Sequence, residues 1–338
     1  MTSGEVVLFA NLGAEEGARA PAHGWPPLVR AWARLFGAPV VVDGAGAVDD
    51  PYPSAAFPFL RRHVGLIPWL ATEAAVARAR ALGVDYAGAD VAATSVVHDK
   101  AFAVHAAREQ GVLPDALAPF VVVLEPAELR APTLKESLVA YARGLPAFAD
   151  GFTLKPRRGT SGRGRVPGPA RIVDDQALLD ACVNGARHLA ARGGAILEPW
   201  VRRARDHSIQ LFVDDDGSAS ALGVTDLLVS TAGVWRGNSF ALDEQGHARS
   251  VHAPDLDDAL VGVALAVGAR AARAGYRGPL GVDAYTFLVD GREIVHPLVE
   301  VNARFTGGIV AIGAARGERR AAGAPLVFDA RTCTLDAA

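Results

Sequence analysis

Short apolar runs alternate with amphipathic stretches through the first hundred residues. Val6-Val7-Leu8-Phe9, Pro39-Val40-Val41-Val42 and Val64-Gly65-Leu66-Ile67 read as buried strands, being brief and rich in β-branched residues. Between them, Pro27 to Phe36 carries helical spacing, and a second helix is expected from Thr72 to Leu82. Thr72 offers an N-cap oxygen, and Gly83 can take the left-handed conformation that ends a helix. This βαβ rhythm predicts a small, mostly parallel α/β domain. Asp49 to Pro58, rich in Pro and Asp, reads as a loop.

The pattern changes after Asp99. Helices are expected from Lys100 to Gln110, from Pro126 or Thr133 to Arg143, and from Asp175 to Ala191, with strands at Val121–Leu124 and Phe152–Lys155. The last third reads as strands at 195–201, 208–213, 222–230, 281–289 and 293–301, interrupted by one long helix from Leu256 to Ala274. Asp214-Asp215-Asp216-Gly217 and Asp290-Gly291 are hairpin turn signals. Strands joined by hairpins imply antiparallel sheets, so an α+β part follows the α/β start. The expected divisions are 1–97, 98–192, 193–315 and a tail, 316–338, whose last residues are loosely held.

Composition narrows the class. The chain has 338 residues, half of them hydrophobic, with a formal charge of −3, so it is core-rich and lacks the basic excess of a nucleic-acid or membrane-surface binder. Cys182 and Cys333 alone make neither a disulfide framework nor a zinc site. The longest apolar run, Ala259 to Ala269, is too short to span a bilayer. Met1 to Glu5 lack the basic segment of a signal peptide. A cytoplasmic protein is expected. Of 34 basic residues only Lys100, Lys135 and Lys155 are lysines, so each retained lysine marks a place where a compact ammonium is favoured over a planar guanidinium.

Three stretches carry chemistry. In the first, Lys155 ends a strand and Gly159-Thr160-Ser161-Gly162-Arg163-Gly164 follows. Such a loop can cradle phosphates with backbone N–H groups, or can be a solvated surface loop; its spacing is neither a Walker A nor a Rossmann fingerprint. In the second, Glu300, Asn302 and Arg304 alternate along a strand with Val299, Val301 and Ala303, so one face offers a carboxylate, an amide and a guanidinium. Those oxygens suit Mg²⁺, and Asp283 on the preceding strand can join them; the same pattern also fits an amphipathic edge strand. The third is Glu198-Pro199-Trp200-Val201, an acid at an apolar strand end that can meet an adenine edge or merely end a strand near an aromatic core residue, followed by Asp206, which can accept from ribose hydroxyls or cap a turn. Arg61, Arg62, His63, His207 and His296 read as ordinary surface or core residues, with substrate binding as the alternative.

The order of these features resembles the ATP-grasp superfamily across about residues 64–310, and the segment before His98-Asp99-Lys100 resembles the pre-ATP-grasp domain of peptide and carboxylate–amine ligases. The resemblance implies an α/β N-terminal domain followed by an α+β ATP-grasp fold. It implies that Lys100 and Lys155 neutralise the α- and β-phosphates of ATP and that the Gly159–Gly164 loop covers the triphosphate. Glu198, Pro199, Trp200 and Val201 would meet the adenine and Asp206 the ribose, while Asp283, Glu300 and Asn302 hold Mg²⁺. Arg304 would steady the γ-phosphate and the developing oxyanion, making Arg304 and Lys155 the catalytic pair. His98 stands where the family often has Asn, and the interval from Asp283 to Glu300 is longer than in D-alanine–D-alanine ligases. The implied activity is ATP-dependent and ADP-forming: amide or peptide bond formation through an acyl phosphate, on amino acids or small peptides. An ATP-grasp phosphotransferase acting on a hydroxyl, or a non-catalytic nucleotide-binding regulator, are the alternatives. Small-molecule carboxylate and amine partners are expected, a homodimer is allowed, and neither nucleic acid nor membrane is a partner.

Overall fold

A computed structural model describes residues 6–14, 26–62, 64–159, 164–230 and 234–338. In chain order these begin with β1 (Val6–Phe9), α1 (Pro26–Arg34), β2 (Val40–Val42), β3 (Gly46–Val48), β4 (Gly65–Pro68), α2 (Glu73–Leu82), α3 (Val91–Val97) and α4 (Lys100–Glu109). There follow β5 (Val122–Leu124), α5 (Pro126–Arg130), α6 (Leu134–Arg143), β6 (Ala149–Pro156), β7 (Val166–Pro169), α7 (Gln176–Leu189) and β8 (Ala195–Val201). Next are β9 (Arg203–Val213), β10 (Ala219–Val229), β11 (Trp235–Leu242), β12 (Ala248–Arg249) and α8 (Asp257–Arg273). The chain closes with β13 (Gly278–Val289), β14 (Arg292–Asn302), α9 (Gly307–Gly317), β15 (Leu326–Asp329) and β16 (Leu335–Ala337). Three sheets result, with orders β3-β2-β1-β4, β5-β8-β6-β7 and β14-β13-β9-β10-β12-β11-β15-β16. The α/β start is present, and antiparallel pairing dominates the rest, with β10 and β12 parallel.

The chain divides into two compact units. The larger comprises Met1–His98, His207–Asp283 and Val301–Ala338. Its first sheet places β1 parallel to both β2 and β4, with β3 antiparallel at the edge. Thr72 caps α2 by accepting from the Ala75 N–H, and Gly83 ends it at φ 68°. The core joins α1 to α9. Trp32, fully buried, meets the Trp69 ring edge-on at 5.4 Å and the Phe305 ring at 5.1 Å. Every residue from Gly308 to Ala315 is buried, so α9 is apolar all round, as a central helix must be. Its glycines set the closeness of the packing: a Cβ at Gly313 would lie 2.7 Å from a Leu35 methyl, and one at Gly317 2.3 Å from the Tyr52 ring.

Two expectations need correcting here. The tail expected over 316–338, with its last residues loose, is instead built into the fold: it completes α9, and β15 and β16 pair antiparallel, with β15 also paired to β11. Strand β11 was not foreseen. Its Asn238 and Ser239 are polar yet buried, which breaks the apolar alternation that announces a strand. Asn238 is accommodated because its Nδ2 donates to Thr225 Oγ1 at 2.8 Å and its Oδ1 accepts from Trp235 Nε1 at 3.1 Å.

The smaller unit comprises Asp99–Asp206 and Ala284–Glu300. Its sheet is antiparallel throughout, with β8 between β5 and β6. Leu179, Cys182, Val183 and Ala186 on α7 pack with Phe152, Leu154, Leu129 and Leu138 into one core. Asp175 caps α7 by accepting from the Leu178 N–H at 3.0 Å. Gly185 keeps the helix close to β7, since a Cβ there would be 2.9 Å from both Val166 methyls. Of the two expected starts, Thr133 is the one that leads to Arg143, as the N-cap of α6; α5 is a separate helix that ends before Pro132, where the residue before a proline disfavours helix. Asp290 and Gly291 turn β13 into β14 with φ 49° and 76°, as a two-residue hairpin requires. Among the described residues, no helix is long and apolar enough to cross a membrane.

Candidate active site

In the smaller unit the two sequence-selected lysines are both nearly buried and both tied to carboxylates. Lys100 is the first residue of α4, behind the N-cap Asp99, which accepts from the Ala101 N–H at 2.9 Å. Its Nζ donates to the Gly159 carbonyl at 2.7 Å and lies 3.1 Å from Glu300 Oε1. Lys155 on β6 reaches Glu198 on β8 at 2.5 Å. The register explains that contact: Lys155 stands opposite Ile196 and Thr153 opposite Glu198, so the pair is a same-face diagonal across neighbouring strands. Thr160, Ser161 and Gly162 of the Gly-rich loop lie outside the described residues, as does His63. Of that loop the buried Gly159 and the exposed Gly164 are described.

One residue that the sequence did not mark holds the start of this loop. Arg157 donates to both oxygens of Asp99 at 2.7–3.0 Å and to both oxygens of Glu125 at 2.8 and 2.9 Å. The Asp99 hydrogen bonds raise its pKa above the usual arginine value. Its carbonyl also accepts from the Lys100 N–H at 3.1 Å. Arg157 therefore fastens the first residue of α4 to the end of β6.

Around Glu198 stands a group of aromatic and basic side chains. Arg203 donates to Asp206 at 2.6 Å and its guanidinium lies 4.4 Å from the centre of the Tyr285 ring; Arg165 lies 4.4 Å over Trp200. Burial works against the Arg203 charge, but Asp206, Tyr285 and Glu198 outweigh it and its pKa is raised. His296 packs edge-on to Tyr285 at 5.1 Å. Burial, with Lys155 and Arg203 near, pushes its imidazole down to about 3, so it is neutral at ordinary pH. Asp206 thus stands as the partner of Arg203, while Pro199 and Val201 are interior residues of β8.

In the larger unit Asp283 is held from both sides. Its Oδ1 accepts from Ser208 Oγ at 2.7 Å and its Oδ2 from Asn302 Nδ2 at 3.0 Å. Asn302 Oδ1 accepts in turn from Arg304 Nη2 at 3.1 Å. Strand β14 ends at Asn302, so the alternation that placed Arg304 on its face does not extend that far; Arg304 returns through its own hydrogen bonds. His98 Nδ1 accepts from the Ala303 N–H at 3.2 Å. His207, buried, faces Asp226 through Nδ1 at 3.0 Å. Asp226 also accepts from Ser250 Oγ and the Val251 and His252 N–H groups; burial opposes its charge, yet these bonds leave its pKa lowered.

The donor set fits a hard divalent cation. Asp283 and Asn302 of the larger unit offer only oxygens to a metal. In the smaller unit, Glu300 is a carboxylate of the same hard type, beside Lys100. Mg²⁺ takes one or two carboxylates and completes its shell with phosphates and water. Among the described residues, no three His, Cys, Asp or Glu gather as a metal cluster.

No protein-family model and no curated protein matches the sequence. Solved structures do match. A biotin carboxylase from Campylobacter jejuni, in complex with β-γ-ATP, superposes with a TM-score of 0.56 at 14% identity, covering 96% of this chain and 75% of that one. An N5-carboxyaminoimidazole synthase from Aspergillus clavatus, with ADP and 5-aminoimidazole ribonucleotide, gives 0.55 at 12%, covering 96% and 81%. The biotin carboxylase domain of the 2-oxoglutarate carboxylase from Hydrogenobacter thermophilus, with MgADP, ADP and bicarbonate, gives 0.55 at 15%, covering 97% and 74%.

Proposed function

We propose, from the ATP-grasp fold that this chain has, that it is an ATP-dependent, ADP-forming carboxylate–amine ligase of the cytoplasm. The observation that carries the reading is the pair of nearly buried lysines, Lys100 and Lys155, each held by a carboxylate of its own unit. Ammonium groups withdrawn from water bind phosphate oxygens far more strongly than exposed ones. Two of the three lysines in the chain are spent this way.

In the proposed reaction, a substrate carboxylate oxygen attacks the γ-phosphorus of ATP and the β–γ bridging bond breaks, leaving ADP and an acyl phosphate. An amine then adds to the acyl carbon, phosphate departs, and the amine proton passes to solvent. Lys100 and Lys155 neutralise the phosphates on the leaving side, and Arg304 meets the charge that develops on the transferred group. Glu198 and the neighbouring backbone of β8 orient the base, and Asp206 the ribose. Mg²⁺, held by Asp283, Glu300 and Asn302, supplies charge neutralisation on the phosphates when bound. The Gly159–Gly164 loop excludes water from the acyl phosphate.

Amino-acid pairs screened for ADP release, with mass detection of the product, test this reading. When the true acid is supplied without its amine, hydroxylamine should trap a hydroxamate. A stable phosphoester in place of the amide would make the chain a phosphotransferase. AMP and pyrophosphate as stoichiometric products would overturn the acyl-phosphate route.

A further inference from the structure

Asp283 is the last acceptor of a line of hydrogen bonds that begins at the start of α9. The Ile309 N–H donates to Thr306 Oγ1 at 3.1 Å, and Thr306 Oγ1 donates to Gln210 Oε1 at 2.5 Å. Gln210 Nε2 then donates to Ser208 Oγ at 2.9 Å, and Ser208 Oγ donates to Asp283 Oδ1 at 2.7 Å. All four donors point the same way, toward the carboxylate, so each bond polarises the next. The Asp283 carboxylate only accepts, so the single Ser208 proton goes to it and Ser208 Oγ accepts from a Gln210 N–H, which turns Oε1 toward Thr306. The direction is therefore fixed by the carboxylate.

The line is also closed off from water and from movement. Gln210 is fully buried, and Ser208 and Thr306 are nearly so. A Cβ at Gly308 would lie 2.4 Å from Gln210 Nε2, and one at Gly281 2.8 Å from Thr306 Cγ2 and 3.4 Å from Gln210 Oε1. Two glycines thus make room for this amide and leave it little freedom. Leu or Met would fill such a core position without the cost of burying an amide, so its polarity calls for a reason beyond packing.

We infer that Ser208, Gln210 and Thr306 are positioning residues for a metal ligand: they fix the Asp283 carboxylate in one orientation toward the divalent cation. The inference rests on the metal role proposed for Asp283 and extends it to three side chains that no cation touches. Partners of this kind hold a ligating carboxylate still, and losing one weakens metal affinity roughly 10- to 100-fold.

Mn²⁺ binding to the full-length protein with ADP, read by electron paramagnetic resonance, tests it. Ser208→Ala removes the last donor, and Gln210→Met replaces the amide at similar volume. Each should weaken Mn²⁺ binding about tenfold or more, with the thermal transition retained and metal-free ADP affinity within about twofold of the parent. Asp283→Asn should weaken Mn²⁺ at least as much. If Asp283→Asn loses Mn²⁺ while Ser208→Ala and Gln210→Met keep parental affinity, the line is packing and the inference fails. If Asp283→Asn itself keeps parental affinity, Asp283 is not a ligand, and the metal reading falls with the inference.

Discussion

Lys155 and Glu198 meet at 2.5 Å across two neighbouring strands, with side chains only 15% and 10% exposed. Each therefore neutralises the other. Lys155→Met should strand a nearly buried carboxylate and cost about 3 kcal/mol of stability. It should also weaken ATP by about 1.5–3 kcal/mol, roughly one to two orders of magnitude in Kd. The double variant Lys155→Met/Glu198→Gln separates the two effects. Urea midpoints should recover most of the lost stability, while calorimetry should show ATP affinity still reduced. Full recovery of affinity would take Lys155 out of the phosphate site.

Glu300 stands on β14 and receives the Lys100 ammonium at 3.1 Å. Glu300→Gln should keep the fold and most of the nucleotide affinity, because the proposed reaction assigns adenine recognition to other residues. ADP formation should fall roughly a hundredfold, the scale of one lost transition-state contact. Turnover measured across limiting Mg²⁺ decides the matter. A parental Mg²⁺ dependence would exclude Glu300 as a ligand.

Asp257 begins α8 with its side chain wholly inside, beside Arg249 at 3.1 Å. Burial pushes its carboxyl up to about 6, against the pull of the Ser250 N–H and Arg249. In an unfolded chain such a group ionises near 4, so between these values the folded state binds the proton more tightly. The stability this confers is fully present below about pH 4 and lost as pH rises through 6. An asparagine side chain at this position has no proton to lose. Asp257→Asn should therefore gain stability relative to the parent across that window, by up to about 3 kcal/mol, and hold a constant difference above it. Urea midpoints in steps from about pH 4 to 7 measure it; a difference independent of pH would mean Asp257 is ionised throughout.

Two helical glycines should respond to alanine with opposite signs. Gly262 in α8 is exposed, with open space around its Cβ position, whereas Gly313 in α9 faces Leu35 and Phe57 at 2.7 and 2.9 Å. Gly262→Ala should stabilise by about 0.5–1 kcal/mol through helix propensity and the unfolded state. Gly313→Ala should destabilise by about 1–3 kcal/mol through overpacking. Chemical denaturation of both variants checks this, and equal signs would show that α9 is packed less tightly than described.

The sequence disclosed what local chemistry controls. Thr72, Gly83, Asp99 and Asp175 act at helix ends as their residue types suggest, and the Asp290-Gly291 turn joins two strands as foreseen. Lys100 and Lys155 were found because arginine has displaced nearly every other lysine. What stayed hidden depends on long-range partners. Helix α9 carries glycines and no polar face, so neither propensity nor periodicity announces it; it becomes a helix because α1, Phe57 and Tyr52 enclose it. Arg157 reads as one arginine among many until Asp99 and Glu125 come to it from distant positions. Gln210 stands between Ile209 and Leu211 in β9, and its meaning comes from Thr306, nearly a hundred residues later.

The joining of α1 to α9 also constrains how the protein can be made. Trp32 leaves the ribosome long before Phe305, the ring it packs against. The larger unit is thus assembled from three stretches that the residues of the smaller one separate in sequence. During translation its early apolar surfaces, including the faces of Leu28, Trp32 and Leu35, wait without their final cover. Nascent chains stalled before residue 301 should need the shelter of chaperones, and release of the remaining segment is the event that lets the larger core close.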